Sequence, residues 1–387
     1  MGRFVIVCGG TGGHLAPGIA MAQELTARSH TCTLVLSEKE VDSRLVKKYP
    51  EFSVVRSPGS GFSMHPRGLV RFVSGVLRAS LFALRWYRDE RPDAVLAFGG
   101  FLATAYVLAA SSQDIPIFLH EANRKPGKAI RFLARFADRV YVPHDVGLRA
   151  LWMFGAKHLG FPIRRDVRHL PKEQVRQSLG FPRHAKLLVV VGGSQGAAVL
   201  NEWAERHLDS LTSDGIHLVV ITGPGKGEEV SRTRVSENGE PVSVRFLPFA
   251  DDMGTLLSAA DLVVSRAGAG SIAELIECLA PAILIPYPYS ADQHQQENAA
   301  YMERKGGCML LPQDNLKGLY REVLDLIFND WLLARMRENL RGLQRGNEAA
   351  QIANDMESLL IWLRGERRGD RSESESEADE EDAEVRA

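Results

Sequence analysis

The sequence predicts an α/β protein in which two doubly wound, parallel-sheet domains face each other across a cleft. Short apolar runs alternate with helical patterns along most of the 387 residues. Such alternation is typical of parallel sheets covered by helices on both faces. A strand, a glycine-rich turn and a helix also follow one another twice, first around Gly9 and again around Gly192. This repetition predicts two similar domains, each of which offers the same kind of turn to the cleft.

The two turns share a composition that favours an anionic ligand. Residues 9–14, the first glycine turn, read Gly-Gly-Thr-Gly-Gly-His, follow the apolar run 4–8 and precede a helical stretch from Pro17. Residues 192–196, the second glycine turn, read Gly-Gly-Ser-Gln-Gly and lie between the run 187–191 and a helical stretch from Ala197. Few Cβ atoms and a helix start bring backbone N–H groups close to a phosphate. We therefore expect a phosphate-bearing substrate in the cleft.

The predicted strands and boundaries follow from the apolar runs and their breaks. The strands of the first half are 3–8, 31–36, 53–56, 94–97, 115–119 and 139–142, and those of the second half are 186–191, 216–221, 242–247, 261–264, 282–285 and 307–310. A break at 160–165 divides the chain into domains 1–163 and 164–346. Residues 347–364 have one apolar helical face. Residues 365–387 are almost devoid of apolar residues, so we expect a disordered acidic tail, with a solubilising role favoured over docking.

Composition excludes several classes of protein. The chain is 45% hydrophobic and 25% charged, as is usual for a soluble globular protein, and its net charge of -1 offers nucleic acid no general attraction. Its four cysteines lack metal-ligand spacing, which predicts buried, reduced thiols and a cytoplasmic location. We expect neither a signal peptide before the first strand nor a membrane-spanning helix.

The first glycine turn matches neither of the common nucleotide-binding motifs. A dinucleotide fingerprint counted from Gly10 requires glycine at position 15, where Leu15 stands, and a P-loop requires Gly-Lys-Ser/Thr, which does not follow. His14, at the end of the turn, has two interpretations. It either caps a helix or lies beside a phosphate-bearing group, where its imidazole can take up a proton near neutral pH.

Three further segments place polar groups where open α/β sheets bind ligands. His120-Glu121-Ala122-Asn123 follows the predicted strand 115–119, at its carboxyl end. Residues 265–274 open a helix with small side chains, so N–H groups near 268–271 can meet phosphate and Glu274 can accept hydrogen bonds from ribose. Glu274 is alternatively an acid favoured by the helix dipole. The amides and acid of 292–298 suit sugar hydroxyls, or form a solvated helix face.

Residues 66–88 predict a helix that rests on a membrane surface. Projected at about 100° per residue, five arginines share one arc and five aliphatic residues occupy the opposite face, which we expect to pack on the sheet. Phe82 and Trp86 fall on the border, where amphipathic rings can enter a headgroup layer. The alternative is an ordinary surface helix. The arginines are Arg67, Arg71, Arg78, Arg85 and Arg88, and the aliphatic residues are Leu69, Val73, Val76, Leu77 and Leu84.

Taken together, these motifs resemble the MurG family of bacterial UDP-N-acetylglucosamine transferases. The resemblance covers positions 3 to about 360 and leaves only the acidic tail outside. The matching residues are Gly9-Gly10-Thr11-Gly12-Gly13-His14, Gly99-Gly100-Phe101, His120-Glu121-x-Asn123, Pro162-x-Arg164, Gly192-Gly193-Ser194-Gln195-Gly196-Ala197, Asp251-Asp252-Met253, Arg266-x-Gly268-Ala269, Glu274, and Asp292-x-His294-Gln295 with Asn298.

The resemblance implies a fold, a reaction and a set of site residues. The fold is GT-B, with the C-terminal helix 347–364 crossing back to the first domain. The reaction moves N-acetylglucosamine from UDP-N-acetylglucosamine to the muramyl 4-hydroxyl of lipid I, with inversion, giving lipid II. His14 is the candidate base and Glu121 the second candidate, while Gly12, Gly13 and His14 face the acceptor. The implied donor contacts are Thr11, Gly12, Gly13, Asn123, Arg164, Ser194, Ala250, Ala269, Gly270, Ser271, Ile272, Ala273, Glu274 and Gln295.

The same resemblance implies partners and leaves rivals. The partners are UDP-N-acetylglucosamine, undecaprenyl-linked lipid I and an anionic membrane at the cytoplasmic face, with other cell-wall enzymes as further candidates. Because the body contains no Asp-x-Asp pair, we expect no metal and no cofactor; helix N-termini and Arg164, with Arg266 as a further candidate, would stabilise the departing UDP. The rivals are another GT-B enzyme, such as a UDP-N-acetylglucosamine 2-epimerase or a different glycolipid glycosyltransferase, and an inactive nucleotide-sugar-binding scaffold.

Overall fold

A computed structural model describes most of the chain. It covers residues 1–9, 12–37, 45–58, 66–146 and 155–365, with the side chains of 12 and 66–72 left out. Thr11, the side chain of Arg71 and the tail prediction beyond 365 therefore lie outside the described residues.

The first half of the chain forms a seven-stranded sheet in which every pairing is parallel. Its strand order is β3-β2-β1-β4-β5-β6-β7. The strands are β1 (Arg3–Val7), β2 (Thr31–Ser37), β3 (Ser53–Ser57), β4 (Ala94–Ala97), β5 (Ile117–His120), β6 (Arg139–Val142) and β7 (Ala156–His158). The helices are α1 (Gly12–Ala27), α2 (Pro66–Glu90), α3 (Gly100–Ser111) and α4 (Lys128–Leu133), followed by a 3₁₀ turn at Ala134–Phe136.

The second half repeats the plan with one variation. Its sheet has the order β10-β11-β9-β8-β12-β13-β14, and only the edge strand β10 is antiparallel to its neighbour. The strands are β8 (Lys186–Val191), β9 (Ile216–Ile221), β10 (Val230–Val235), β11 (Pro241–Leu247), β12 (Leu262–Ser265), β13 (Ala282–Leu284) and β14 (Cys308–Leu310). The helices are α5 (Lys172–Ser178), α6 (Ala198–Arg206), α7 (Leu208–Ser213), α8 (Met253–Ala259), α9 (Ala269–Glu277), α10 (His294–Arg304), α11 (Leu319–Ile327), α12 (Asp330–Leu343) and α13 (348–365), with 3₁₀ turns at Ala291–Gln293 and Gln313–Gly318.

Each sheet is covered on both faces, because neighbouring residues of a strand point to opposite sides. On β1, Val5 and Val7 join an apolar cluster with residues of α2 and α3. Phe4 and Ile6 point the other way, into a cluster with α1 and with Ile352 and other residues of α13. The last helix therefore packs on the sheet of the first half, although it follows the second half in sequence.

Both glycine turns lie at points where the strand order reverses. β1 lies between β2 and β4, and β8 lies between β9 and β12. Chain segments leave such a central strand in opposite directions, which opens a crevice beyond its carboxyl end. The first glycine turn follows β1 and the second follows β8, so each turn begins in the crevice of its own sheet.

The predicted fold class of two doubly wound parallel-sheet domains is confirmed, with corrections to single elements. The prediction omitted β7 and β10. β7 has only three residues, and none of the residues of β10 is fully buried, so neither makes the apolar run that marks a covered strand. The four cysteines are free and buried, as predicted.

Candidate active site

The first glycine turn leads directly into α1. This helix begins at Gly12, not at Pro17 as predicted, so His14 lies in its first turn. Because proline has no N–H, Pro17 cannot donate to the carbonyl of Gly13, and the predicted boundary had treated this break as the helix start. The imidazole of His14 lies against Gly100, where an added Cβ would be 3.6 Å from Cε1. Gly100 has a φ of +79°, so two glycine motifs far apart in sequence meet at His14.

The loop after β5 is held by Glu121. This side chain is buried, and its two carboxylate oxygens accept hydrogen bonds from the backbone N–H of Asn123, at 2.8 Å, and of Gly127, at 2.7 Å. Burial raises the pKa of Glu121, while these hydrogen bonds act in the opposite direction. Both carboxylate oxygens therefore hold the loop, and Glu121 remains the second candidate base after His14.

The second glycine turn fits closely against the loop that follows β9. An added Cβ on Gly196 would lie 2.0 Å from the carbonyl oxygen of Thr222, and Gly196 has a φ of +66°. Gly193 also has a positive φ, of +80°, but no atom lies within 4 Å of its added Cβ. Position 196 therefore requires glycine for two reasons, the lack of room for a Cβ atom and the positive φ. Ser194, the predicted donor contact of this turn, is exposed.

The nucleotide segment predicted at 269–274 forms the first turns of α9. Gly268 precedes the helix without a side-chain cap, so the first N–H groups of α9 lack a side-chain partner there. Within this helix, Oε1 of Glu274 accepts a hydrogen bond from Nη2 of Arg164 at 2.9 Å. Burial lowers the pKa of Arg164, but Glu274, Tyr49 and Asp166 together outweigh this effect and leave that pKa above its ordinary value. Two predicted donor residues are thus brought together. Ala250, half-buried, packs against the same apolar core as α9.

Two further predicted residues are placed by backbone contacts. Oε1 of Gln295, at the start of α10, accepts a hydrogen bond from the N–H of Tyr287 at 2.9 Å, which leaves its amide group as a donor. Arg266 is buried and donates to the carbonyl oxygens of Ile285 and Pro286 and to Oε1 of Gln313. These contacts use Nη1 and Nη2 of Arg266, and its role toward the diphosphate stays a prediction.

Asn298, which belongs to the polar run 292–298 and to the residues that carry the resemblance, joins the two halves of the site. Its side chain is 3% exposed. Nδ2 donates to Oδ1 of Asn123, at 3.2 Å, and to the carbonyl of Ala267, at 3.3 Å, while Oδ1 accepts from the N–H of Arg124. The sequence predicted a sugar contact for this run but not the contact with Asn123, since a separation of 175 positions leaves no local pattern.

Lys48 and Tyr49, from the first half, contact the beginning of the second half. Nζ of Lys48 lies 2.7 Å from Oδ2 of Asp166 and also donates to the carbonyl of Asp251. The hydroxyl of Tyr49 contacts Asp166 and, at 3.4 Å, Nη1 of Arg164. Neither residue was predicted, because nothing in the run 45–49 distinguishes them from other surface side chains.

The exposed face of α2 differs from its prediction. Val73 and Leu77, which we expected to pack on the sheet, are 49% and 59% exposed, and Leu81 and Phe82 are exposed beside Arg78 and Arg85. Val76 and Leu84 pack against the apolar cluster, as expected. The fully buried positions are small residues and Tyr87, because α2 packs closely on α3. Trp86 is half-buried and its inner side contacts Tyr87 and Tyr106, while its role at a headgroup layer stays a prediction.

Residues 12–37, 66–146 and the other described stretches contain no helix that is long and apolar enough to cross a membrane.

Comparisons with known proteins agree with this architecture. Residues 4–142 match the profile of the glycosyltransferase family 28 N-terminal domain, and residues 187–356 match that of the glycosyltransferase family 28 C-terminal domain. The crystal structure of Acinetobacter baumannii MurG has a TM-score of 0.68 at 23% identity, over 92% of this chain and 100% of that chain. The Staphylococcus aureus MnaA–UDP structure reaches 0.67 at 12% identity, over 93% and 97%. These two likenesses show the GT-B fold alone.

Curated relatives identify the family. The UDP-N-acetylglucosamine–N-acetylmuramyl-(pentapeptide) pyrophosphoryl-undecaprenol N-acetylglucosamine transferase of Opitutus terrae is 47% identical over 359 residues, which cover 93% of this chain and 95% of that protein. The protein of the same description from Prochlorococcus marinus is 34% identical over 94% of this chain and 99% of its own length. The chain therefore belongs to the MurG family of glycosyltransferases.

Proposed function

We propose that this protein transfers N-acetylglucosamine from UDP-N-acetylglucosamine to the muramyl 4-hydroxyl of undecaprenyl-linked lipid I and so forms lipid II. The observation that carries this proposal is the near full-length identity to transferases of that description. The geometry supports it, since each glycine turn follows a central strand at the crevice of its own sheet, and Asn298 of the second half contacts Asn123 of the first. Both curated relatives reported above carry the transferase description, which favours the transferase over an epimerase or an inactive scaffold.

The donor is proposed to bind on the second half of the chain. The N–H groups at the start of α9 suit the diphosphate, because they carry the positive end of the helix dipole. Glu274 retains Oε2 for the ribose hydroxyls while Oε1 is paired with Arg164. Gln295 presents its amide group to the sugar. Under this proposal the donor domain is 164–346, and the acceptor domain is 1–163.

The acceptor hydroxyl is proposed to lose its proton to His14. This imidazole lies in the first turn of α1, beside Gly100, where the acceptor domain faces the donor. As the new bond forms between the 4-hydroxyl oxygen and the anomeric carbon, the bond to UDP breaks from the opposite face, which inverts the configuration. Charge on the departing diphosphate is then stabilised by the N-terminus of α9.

A transfer assay tests the function directly. Radiolabelled UDP-N-acetylglucosamine and a lipid I analogue should yield a labelled product with the mobility of a lipid II analogue. Omission of the acceptor is the control, since an epimerase would convert the donor alone. Conversion of the donor without acceptor, or no conversion in its presence, would reject the proposal.

We also propose that the exposed face of α2 binds an anionic membrane at the cytoplasmic side, where a lipid-linked acceptor is held. Val73, Leu77, Leu81 and Phe82 are exposed there beside arginines. Apolar side chains can enter the headgroup layer, and each arginine near an anionic surface contributes about 1 kcal/mol.

Vesicle co-sedimentation tests this membrane face. Replacement of Arg71, Arg78 and Arg85 by Glu should abolish binding to anionic vesicles while turnover of a soluble acceptor analogue continues. The matched control replaces three exposed arginines of α11 and α12, Arg321, Arg335 and Arg341, by Glu, which changes the net charge equally. Equal binding by both triple variants would contradict a specific membrane face.

A further inference from the structure

The loop after β5 and the helix α10 form a contact across the cleft that the donor site alone does not require. Arg124 belongs to the first half of the chain, and Tyr301 to the second. The guanidinium carbon of Arg124 lies 3.4 Å from the centre of the Tyr301 ring. Both side chains are partly buried, and a stacked arginine is attracted more strongly where water is excluded.

Asp145 completes this contact from the first half. The hydroxyl of Tyr301 donates to Oδ2 of Asp145 at 3.1 Å, and Nζ of Lys305 lies 3.4 Å from the same oxygen. Tyr301 and Lys305 are one helical turn apart on α10 and its end, so Asp145 holds both. The hydrogen bond from Tyr301, followed by Lys305, keeps the pKa of Asp145 below its ordinary value.

The stack is continuous with residues of the donor site. The N–H of Arg124 donates to Oδ1 of Asn298 at 3.1 Å, and Asn298 in turn contacts Oδ1 of Asn123. Asn298 also donates to the carbonyl of Ala267, two residues before α9 begins. A shift of Arg124 relative to Tyr301 would therefore move Asn123 relative to the N-terminus of α9.

We propose that Arg124 and Tyr301 form an interdomain clasp that holds the cleft closed and positions Asn123 against the nucleotide segment. Both are positioning residues, since they act through Asn298 and Asn123. The inference rests on the proposed function, because it assumes that a UDP-sugar occupies the cleft. It adds that affinity for the sugar part of the donor depends on closure, whereas affinity for UDP depends on the second half alone.

Interdomain distance is the first measurement. Cysteines introduced at the exposed Asp89 and Glu228 can carry a pair of labels in the full chain, since the four native cysteines are buried. Arg124→Ala and Tyr301→Ala should each shift the distance distribution to longer values. Lys125→Ala, a change at the exposed neighbour of Arg124, is the matched control and should leave it unchanged. An unaltered distribution in both clasp variants would overturn the proposal.

Kinetics and calorimetry are the second measurement. In either clasp variant, KM for UDP-N-acetylglucosamine should rise roughly five- to tenfold, the loss of one partly desolvated stack, while kcat with a soluble acceptor analogue changes less than about twofold. The Kd for UDP should stay within about twofold, because its proposed contacts lie in one domain. Equal weakening of UDP and UDP-N-acetylglucosamine would overturn the positioning role, since it would indicate damage to α10.

Tyr301→Phe separates the contribution of the stacked ring from that of the hydroxyl group. This variant retains the ring under Arg124 and loses only the hydrogen bond to Asp145, so it should keep most of the closure. A loss as large as that of Tyr301→Ala would overturn the role given to the stack. If no transfer activity is found, the proposed function fails, but the distance measurement still decides on the clasp, because it needs no substrate.

Discussion

The two glycine turns have the same scaffold and different contents. Each follows a central strand, at the point where the strand order of its sheet reverses, and each leads into a helix. The first carries His14 into its helix, against Gly100. The second carries no titratable side chain between Gly192 and Ala197, and its backbone lies against Thr222 instead. Under the proposed function both turns lie beside a ligand, and the side chains that they carry decide whether a turn serves chemistry or binding.

The largest effect is expected when the imidazole of the first glycine turn is removed. His14→Ala should lower kcat by roughly 10²–10⁴, the contribution typical of a general base, with little change in the KM for the donor. Ser194→Ala, in the second turn, is the matched control and should act on the donor KM rather than on kcat. Steady-state kinetics with a lipid I analogue measure both. Near-normal turnover of the His14 variant would exclude it as the base and would direct attention to Glu121 or a bound water.

The next effect tests how tightly the second turn is packed. Gly196→Ala places a Cβ 2.0 Å from the carbonyl oxygen of Thr222, so the backbone must move, and its free energy of unfolding should fall by roughly 3 kcal/mol. Gly193→Ala meets no neighbour and has only the strain of a positive φ, which costs about 1 kcal/mol. Urea denaturation of the two variants measures the difference. Equal losses would mean that φ alone, and not contact with Thr222, requires glycine.

A smaller effect on ligand affinity should distinguish the residue that contacts the ribose from the residue that contacts the sugar. Glu274→Ala should weaken UDP itself roughly 10- to 100-fold, because charge-assisted hydrogen bonds to the ribose are lost. Gln295→Ala should weaken UDP-N-acetylglucosamine and leave UDP nearly unchanged, because its amide group would meet the sugar. Calorimetry with both ligands separates the two residues. Similar losses of UDP affinity in both variants would contradict this division.

The sequence predicted what depends on local patterns. Buried parallel strands such as β1 and β8 are continuous apolar runs, and the glycine turns follow them directly. The fold class and the positions of both turns could therefore be predicted from the sequence. The N-terminus of α9 could be predicted for the same reason, since small residues begin a helix directly after a strand. Its pairing of Glu274 with Arg164 spans 110 positions and needed the structure.

What the sequence did not predict depends on tertiary contacts. On α2 the aliphatic arc was assigned to the core, yet close packing on α3 selected Ala79 and Ala83 for burial and left Leu77 exposed. Helical periodicity predicts which residues share a helix face, but it does not predict which element packs against that face. The carbonyl partners of Arg266, at Ile285 and Pro286, likewise carry no signature in a sequence.

The smallest expected effect is that of metal removal, and it concerns the means by which the second half stabilises the departing UDP. The body contains no Asp-x-Asp pair, and the described residues contain no group of three or more His, Cys, Asp or Glu side chains arranged to hold a metal ion. The N-terminus of α9 offers N–H groups without a side-chain cap, and such groups stabilise a developing negative charge. EDTA should therefore change kcat by less than about twofold, whereas loss of an essential metal abolishes the charge stabilisation that it provides. Activity that disappears in EDTA and returns with magnesium would show that the N-terminus of α9 is insufficient and that a cation also stabilises the charge on the departing UDP.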